Sequence, residues 1–286
     1  MKFVKEGLLV GALIAGASIT GMAQEVDTRG YNPNSVRPIH ESHVMFKRTV
    51  WQNLDMKEKQ NRPFMARGNE ITRFIFNAVK QGLLQPYTDD SLTKKMTIEE
   101  FMQNVSATGT TMTEEEKRFE RQRINDDDFL TAAEKKQRIA ELEKGGGAQE
   151  YDPSFFTQLE LKEDWLFDKV RSRLYYDIQS LTIFLPAERN GETGIDKRVA
   201  SFKYLDLAKL FKSSPNAVWF NALNNQEHKN LSDAFDLRLF ASRIIKVSNP
   251  DDNSLNDVYG EGKKGLMASE WARQQLMEFE HNLWEF

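Results

Sequence analysis

The stretch LKEDWLFDKVRSRLYYDIQSLTIFLP, residues 161–186, decides the fold of the second half of the chain. Its later part, residues 174–186, alternates and is rich in β-branched and aromatic side chains, which predicts a β-strand. The turn formers RNGETG follow at 189–194, and VASFKYLDL at 199–207 predicts the antiparallel partner strand. We therefore expect a small antiparallel sheet whose core takes most of the apolar side chains of this stretch.

The charged residues of the same stretch allow three interpretations. Glu163 and Asp168 could supply the two carboxyl groups of a glycoside hydrolase, which lie about 5–10 Å apart in such enzymes. Asp168 and Arg171 could instead form an ion pair at the end of a core strand. The stretch could also be a protein interface, because aromatic side chains and arginines are the usual anchors of protein contacts. We expect Trp165 or Arg171 to hold the lobe or a subunit contact, and no residue here to be catalytic.

Residues 151–286 indicate a C-terminal α+β lobe. The segment NLSDAFDLRLFASRIIKV, residues 230–247, begins with helix starters and ends in β-branched residues, so its type is ambiguous. The last segment, residues 266–286, predicts an amphipathic C-terminal helix. Four large side chains mark its apolar face: Met267, Trp271, Phe279 and Leu283.

Residues 41–105 indicate a helical N-terminal unit. The first helix is predicted from side chains at helical spacing: Val44, Lys47, Trp51 and Leu54. The second is predicted over 69–82, where an apolar stripe is followed by Gly82. Thr97 and Glu100 form a capping box that starts a third helix.

Residues 106–150 form a charged segment with few large apolar side chains. Two more capping boxes, Thr113 with Glu116 and Thr131 with Glu134, predict two solvated helices. We therefore expect a charged helical linker or insertion between the two lobes. The predicted fold class is α+β, with a helical N-terminal region, this insertion, and a C-terminal lobe with a small antiparallel sheet and a C-terminal helix.

The first 40 residues predict export. Lys2 and Lys5 precede an apolar run rich in small residues, and Ala23 ends a small-x-small cleavage site, so residues 1–23 indicate a signal peptide. The apolar run is too short for a membrane span of about 20 residues. Residues 24–40 hold two prolines and several turn formers, which is typical of an extended arm. A soluble exported protein is expected.

Composition restricts the function further. The chain has no cysteine, which excludes disulfides, a cysteine nucleophile and a lipoprotein-type anchor. The net charge is −4, and the first 23 residues contribute +1, which leaves −5 on the mature chain. A mildly acidic chain with dispersed lysines and arginines argues against nucleic-acid binding. Any attachment to a membrane would have to come through a partner.

Motifs for catalysis or cofactors are weak. The sequence lacks the serine elbow G-x-S-x-G and the phosphate-binding loop G-x-x-x-x-G-K-[ST]. GEGKKG at 260–265 matches G-x-G-x-x-G, but no apolar strand precedes it and no second strand follows, so a glycine turn is expected. His40 and His43 have a metal-ligand spacing without a third ligand nearby. The acidic segment 251–261 has Leu255 where a calcium loop needs an oxygen ligand. We expect no cofactor and no metal.

Three blocks resemble one known family. VWQNLDMKEKQNRPF at 50–64 is similar to the pattern Trp-x-x-Ile-Asp-Leu-x-Glu-Lys-x-Asn-x-Pro, with Leu54 and Met56 as departures. The second block is KEDWLFDKVRS at 162–172. The third runs from FDLRLFASRIIKVSN at 235–249 to the terminal EHNLWEF. In order and spacing they resemble the gliding-motility family GldN, called PorN in non-gliding relatives, of the type IX secretion system of Bacteroidota.

This resemblance implies a structural part of an envelope machine. Family members are periplasmic and form a large ring with the outer-membrane lipoprotein GldK (PorK). They also contact the trans-periplasmic motor component GldM (PorM). The arm at 24–40 is then expected to wrap a neighbour or the lipoprotein. The alternatives are a periplasmic adaptor outside a secretion machine and an envelope hydrolase using Glu163 and Asp168. Subunit or partner contacts are expected at Trp51, Glu163, Asp164, Trp165, Asp168, Arg171, Arg238, Lys246 and Trp284.

Overall fold

The computed structural model describes residues 30–31, 34–106, 150–190 and 194–283. The predicted signal peptide and most residues of the arm before Asn34 lie outside these ranges. The charged segment with its two capping boxes, at 107–149, lies outside them as well, and so does Trp284.

A six-stranded antiparallel sheet organises the described chain. Its strand order is β2-β5-β4-β3-β1-β8, and β6 and β7 form a separate pair. The strands are β1 (Val44–Asp55), β2 (Pro86–Tyr87), β3 (Gln158–Asp168), β4 (Arg173–Leu185), β5 (Lys197–Lys203), β6 (Val218–Trp219), β7 (Lys229–Asn230) and β8 (Arg243–Val247). The α+β prediction is confirmed, with a sheet that is larger than expected.

Six α-helices occur within the described ranges. They are α1 (Ile71–Lys80), α2 (Ile98–Val105), α3 (Tyr204–Ser213), α4 (Leu231–Asp236), α5 (Leu255–Tyr259) and α6 (Lys263–Leu283). The predicted second helix is confirmed as α1, whose Ile71, Ile75 and Val79 are fully buried. The capping box at Thr97 and Glu100 is confirmed at the start of α2. Short 3₁₀ turns lie at Glu41–His43, Arg62–Met65 and Pro153–Phe155.

The predicted helix over residues 44–54 is wrong, because this segment is the 12-residue strand β1. Its burial alternates: Val50, Gln52 and Leu54 are buried, whereas Trp51 between them lies half-buried on the other face. A helix would place Trp51 and Leu54 on one side, whereas the pleat of a strand separates them. β1 pairs with β3 along its length and with β8 at residues 50–53, and this pairing decides that the segment is a strand.

The predicted partner strand over 199–207 is confirmed only in its first part. β5 ends at Lys203, and Tyr204 begins α3. The ambiguous segment 230–247 contains both structures, first α4 and then β8. Tyr204 and Leu231 are the first residues of α3 and α4, and each is about 1% exposed, so both helices begin with a core side chain.

Two hydrophobic clusters lie on the same face of the sheet. The larger cluster joins side chains from both segments 41–105 and 151–286, such as Leu54, Ile75, Leu161 and Phe235. The smaller cluster packs Val50, Trp165 and Phe167 against Ala272 and Leu276 of α6. The two predicted lobes therefore contribute to one sheet and share the larger cluster, while the boundaries proposed for them stay a prediction.

The C-terminal helix α6 is confirmed, but of the four residues of its predicted apolar face only Leu283 packs against the smaller cluster. Met267, Trp271 and Phe279 are 63%, 49% and 44% exposed, whereas Ala268 and Leu276 are buried. Three large apolar side chains therefore lie on the flanks of α6, whereas Ala272 and Leu276 pack against the sheet. A prediction from periodicity places the most hydrophobic residues on the core face. It contains no information on how closely the helix approaches the sheet, which decides the size of the side chains that fit between them.

The glycine motif GEGKKG has a structural explanation. Gly260 and Gly262 adopt φ values of +91° and +72°, which favour glycine in the turn between α5 and α6. A Cβ at Gly265 would lie 2.9 Å from the carbonyl oxygen of Gly260. The third glycine therefore permits α6 to begin in contact with the backbone of this turn.

Candidate functional site

A buried polar cluster separates the two hydrophobic clusters, and we call it the polar junction: Gln52, Glu163, Trp165, Arg238 and Ser242. The carboxylate of Glu163 is fully buried and accepts hydrogen bonds from Arg238 Nη1 at 3.0 and 3.1 Å. Gln52 Nε2 donates to Glu163 Oε2 at 2.7 Å, and Trp165 Nε1 donates to the same oxygen at 3.2 Å. The carboxylate is thus neutralised and hydrogen-bonded from three directions.

Arg238 is positioned by its backbone and by aromatic rings. It follows α4 with φ of +52°, the left-handed region. Its guanidinium carbon lies 4.4 Å from the ring centroid of Tyr176 and 5.0 Å from that of Phe240. Ser242 Oγ donates to Gln52 Oε1, which completes the contacts of Gln52. The polar junction therefore ties β1 and β3 to the chain between α4 and β8, and its groups satisfy one another.

Asp164 and Asp177 lie on the opposite face of the sheet, directly across from each other on β3 and β4. Lys47 Nζ lies 2.9 Å from Asp164 Oδ2, and Thr49 Oγ1 donates to Asp164 Oδ1 at 2.7 Å. Ser35 of the arm donates to Asp177 Oδ1 at 2.7 Å. Burial raises the pKa of Asp177 to about 6, and the negative charge of Asp164 adds to this effect against the hydrogen bond from Ser35.

Stability is expected to fall as pH rises through the range of about 4 to 6 because of Asp177. The folded state holds the proton more tightly than the unfolded state, so deprotonation favours unfolding by up to about 3 kcal/mol above pH 6. We expect Asp177→Asn to become more stable relative to the unmodified chain by about 2 kcal/mol between pH 4.5 and 7.5. Urea unfolding at both pH values measures this difference, and an equal effect at the two pH values would contradict it.

Trp51 forms a cation–aromatic platform on the same face of the sheet as Asp164. Lys246 Nζ and Lys162 Nζ lie 4.4 and 5.2 Å from its ring centroid, and its Nε1 donates to Asp90 Oδ2 at 2.9 Å. Asp90 also pairs with Lys162 at 3.1 Å. Burial alone would raise the pKa of Asp90, but the hydrogen bond from Trp51 and the charge of Lys162 lower it. The platform presents a half-buried indole flanked by two cations.

Asp168 organises the turn between β3 and β4. Its Oδ1 accepts from the backbone N–H groups of Val170 and Arg171, and Arg171 Nη1 donates to Oδ2 at 2.6 Å. The predicted Asp168–Arg171 pair is confirmed. Burial opposes the charged form, yet Arg171 and the two backbone donors lower the pKa of Asp168. The carboxylate is a structural cap, and Arg171 keeps an exposed side chain above it.

The geometry gives no support to a catalytic pair of Glu163 and Asp168. The residues stand five positions apart on β3, so their side chains point to opposite faces and their Cα atoms lie about 16 Å apart along the strand. Carboxyl pairs in glycoside hydrolysis face one cleft at about 5–10 Å. Glu163 lies inside the polar junction, whereas Asp168 closes a turn.

The structure thus sorts the nine predicted contact residues into separate places. Glu163, Trp165 and Arg238 meet in the polar junction, and Trp51 and Lys246 meet on the platform. Asp164, Asp168 and Arg171 lie apart from both groups, and Trp284 lies outside the described residues. Sequence reasoning missed five participants: Gln52, Asp90, Lys162, Asp177 and Ser242. Gln52 alternates with Val50 and Leu54 at a spacing of two residues, and this spacing is the pattern that could have placed Gln52 on the buried face of a strand.

Exposed apolar side chains are concentrated around α5 and α6. They are Val258, Tyr259, Leu266, Met267, Trp271, Met277 and Phe279. A groove of about 550 Å³ lies between these helices and β1, and its lining includes Phe46 and Phe279, whose ring centroids lie 4.6 Å apart. Contiguous exposed apolar surface of this kind marks interaction sites in soluble proteins.

His40 and His43, which have a metal-ligand spacing in the sequence, lie together with ring centroids 5.8 Å apart. His40 is occupied by Ser42, whose hydroxyl lies 2.6 Å from Nδ1. Across the described parts of the chain, no group of three His, Asp or Glu side chains is arranged to hold a metal ion. In those same parts, no helix has the length and apolar character needed to cross a bilayer.

Comparison with known proteins adds the family. A search among curated proteins finds no match to the sequence. The family model described as "Gliding motility associated protein GldN" matches residues 39–285. This match spans β1, the polar junction, the platform and α6. The chain therefore belongs to the GldN family of gliding motility associated proteins.

Proposed function

We propose that this chain is a non-catalytic periplasmic subunit of the type IX secretion and gliding motility machinery. In this proposal it forms a ring with an outer-membrane lipoprotein of the GldK (PorK) type and contacts a trans-periplasmic motor component of the GldM (PorM) type. The observation that carries the proposal is the GldN family match over residues 39–285. The signal-like first 23 residues support a location in the periplasm, bound to the outer membrane through the lipoprotein.

The state of the polar groups supports a structural role. Glu163 is bonded to Arg238, Gln52 and Trp165, and Asp168 is bonded to its own turn. A general acid or nucleophile needs access to a substrate, and neither carboxylate offers it in this arrangement. Asp177, whose pKa is raised to about 6, is covered by the arm, and its carboxylate accepts the hydrogen bond from Ser35.

Two surfaces are suited to partner contacts. The platform around Trp51 offers an indole with two cations, and aromatic and cationic residues are frequent anchors of interfaces. The apolar flanks of α6 offer Trp271 and Phe279. We assign these surfaces to different partners, because a subunit of a ring that also contacts a lipoprotein and a motor component needs more than one binding face.

A pull-down from gently solubilised native envelopes tests the proposal. We expect the tagged chain to recover an outer-membrane lipoprotein and a trans-periplasmic motor protein by mass spectrometry, and rings by electron microscopy. Trp51→Ala is expected to lower recovery of one partner at least about fivefold while the circular dichroism spectrum stays unchanged. Leu223→Ala, at a 99% exposed loop position, is the control. A monomer that captures neither partner after cross-linking would support the adaptor alternative instead.

A further inference from the structure

A pocket of about 390 Å³ lies beside the polar junction, between the sheet and α6. Its apolar walls are formed by four side chains: Trp165, Phe240, Ile244 and Met277. Trp165 and Phe240 are each 6% exposed, whereas Met277 is 57% exposed and Tyr176, which also lines the pocket, is 40% exposed. Solvent therefore reaches the pocket beside Met277 and Tyr176. Binding sites for small molecules typically combine such apolar walls with a few polar groups.

Two arginines line this pocket, and no aspartate or glutamate of the described ranges lines it with them. Arg238 belongs to the chain after α4, and Arg273 belongs to α6. Arg273 Nη2 donates to the backbone carbonyl of Ser242, whose hydroxyl donates to Gln52 Oε1. The same oxygen of Gln52 lies 3.5 Å from Arg238 Nη2. Ser242 and Gln52 therefore connect the two guanidinium groups, and two like charges share one concavity.

The positive charge of the pocket exceeds the negative charge that the described chain places against it. Glu163 neutralises Arg238 from the buried side. Arg273 is half-buried, and its hydrogen bond to the Ser242 carbonyl is its only polar contact within the described residues. Burial and the charge of Glu280 raise the pKa of Tyr176, yet Glu280 does not line the pocket. One positive charge therefore remains in a partly desolvated place, where a cation without a counter-charge is costly.

We propose that this pocket binds one carboxylate carried on an apolar or aromatic group. A single carboxylate neutralises the remaining charge, whereas a phosphate monoester, with a charge of about −1.5 to −2, would leave the site negative. Nε and Nη1 of Arg273 donate no hydrogen bond to the described chain, so they are available to the carboxylate, and such charge-assisted bonds are the stronger kind. Trp165 and Phe240 then accept the apolar part of the ligand.

Two sources offer this chemistry: an acidic side chain in a peptide segment and a free carboxylic acid. Titrations of the mature chain followed by ligand-observed NMR test both. The free acid is 3-phenylpropionate, with its neutral amide as control, and the peptide is acetyl-Phe-Glu-Phe-amide, with its glutamine analogue as control. We expect 3-phenylpropionate to bind with a roughly millimolar Kd, as befits about ten non-hydrogen atoms, and at least about tenfold more tightly than its amide. A peptide that binds more tightly still, and loses this affinity with glutamine, would identify a side chain as the source. Binding of the free acid alone would identify a small molecule.

Variants of the lining place the ligand in this pocket. Arg273→Gln is expected to weaken binding of 3-phenylpropionate at least about tenfold, and Arg273→Lys, which keeps a cation, is expected to recover part of the loss. Met277→Trp narrows the mouth at an exposed position of α6 and is expected to block binding while the fold stays intact. Arg243→Gln is the matched control, because Arg243 is exposed on β8 and does not line the pocket. Urea unfolding of each variant verifies that the chain is folded.

Four results would overturn the assignment. Equal affinity for 3-phenylpropionate and its amide would mean that the pocket selects by apolar contact alone. Binding that survives both Arg273→Gln and Met277→Trp would place the ligand elsewhere on the chain. Inorganic phosphate that displaces 3-phenylpropionate at equal concentration would indicate a general anion site. Lack of saturable binding by every probe would mean that the charge of Arg273 is balanced by solvent. The inference goes beyond the proposed ring and does not depend on it, so these results leave the ring proposal unchanged.

Discussion

Arg238→Met is expected to lower the free energy of unfolding by about 2–4 kcal/mol. The substitution leaves the fully buried carboxylate of Glu163 without its cation, and losing one partner of a buried ion pair typically costs 3–5 kcal/mol. The expected value is lower because the Arg238 side chain is 28% exposed and water can reach the vacated position. Urea unfolding monitored by tryptophan fluorescence measures the change, since Trp165 belongs to the polar junction.

A double-mutant cycle separates the ion pair from simple loss of packing. In the Glu163→Gln background Arg238→Met leaves no buried carboxylate without a cation, so it is expected to cost at least about 1 kcal/mol less there. Arg171→Met is the matched control, because Arg171 also pairs with an aspartate but keeps a 59% exposed side chain. We expect it to cost about 1 kcal/mol or less. Equal losses for Arg238→Met in both backgrounds would mean that the arginine acts only through its contacts with Tyr176 and Phe240.

Phe235→Ala is expected to destabilise the chain by about 3–5 kcal/mol, the usual cost of emptying a buried phenylalanine site. Its ring is about 1% exposed and lies at the centre of an aromatic cluster. The surrounding ring centroids lie 5.2 to 6.5 Å away and belong to Phe64, Phe240, Tyr204 and Phe211. Several elements meet at this ring, so the cavity left by alanine has little freedom to collapse.

Thermal and urea unfolding measure this effect, and Phe220→Ala is the control. Phe220 is 39% exposed and contacts the ring of His228 at 4.7 Å. We expect its removal to change the free energy of unfolding by about 1 kcal/mol or less. A similar loss from both substitutions would show that the cluster around Phe235 is less tightly packed than its ring distances indicate. Because α4 directly precedes Arg238, Phe235→Ala is also expected to weaken the polar junction.

Local patterns predicted several elements correctly. The apolar stripe of α1, the capping box of α2 and the alternation in β4 each depend on residues within a few positions of one another. The Asp168–Arg171 pair was also predicted, since three residues separate its members. The family resemblance depended on the order and spacing of blocks and identified the GldN family that the family model matches.

The sequence alone determined the α+β class, the C-terminal helix and the family, because these features are written in short-range periodicity and in block order. The tertiary structure decided that residues 44–55 form a strand. The sequence of this segment fits both helical and alternating spacing, and pairing with β3 and β8 favours the strand. It also decided which side of α6 is buried. The Glu163–Arg238 pair joins residues 75 positions apart, and its formation depends on how α4 and β3 meet in the folded chain. Contacts between residues so far apart in sequence form only when the whole sheet and its helices have assembled. A pattern within a few residues carries no information about that assembly.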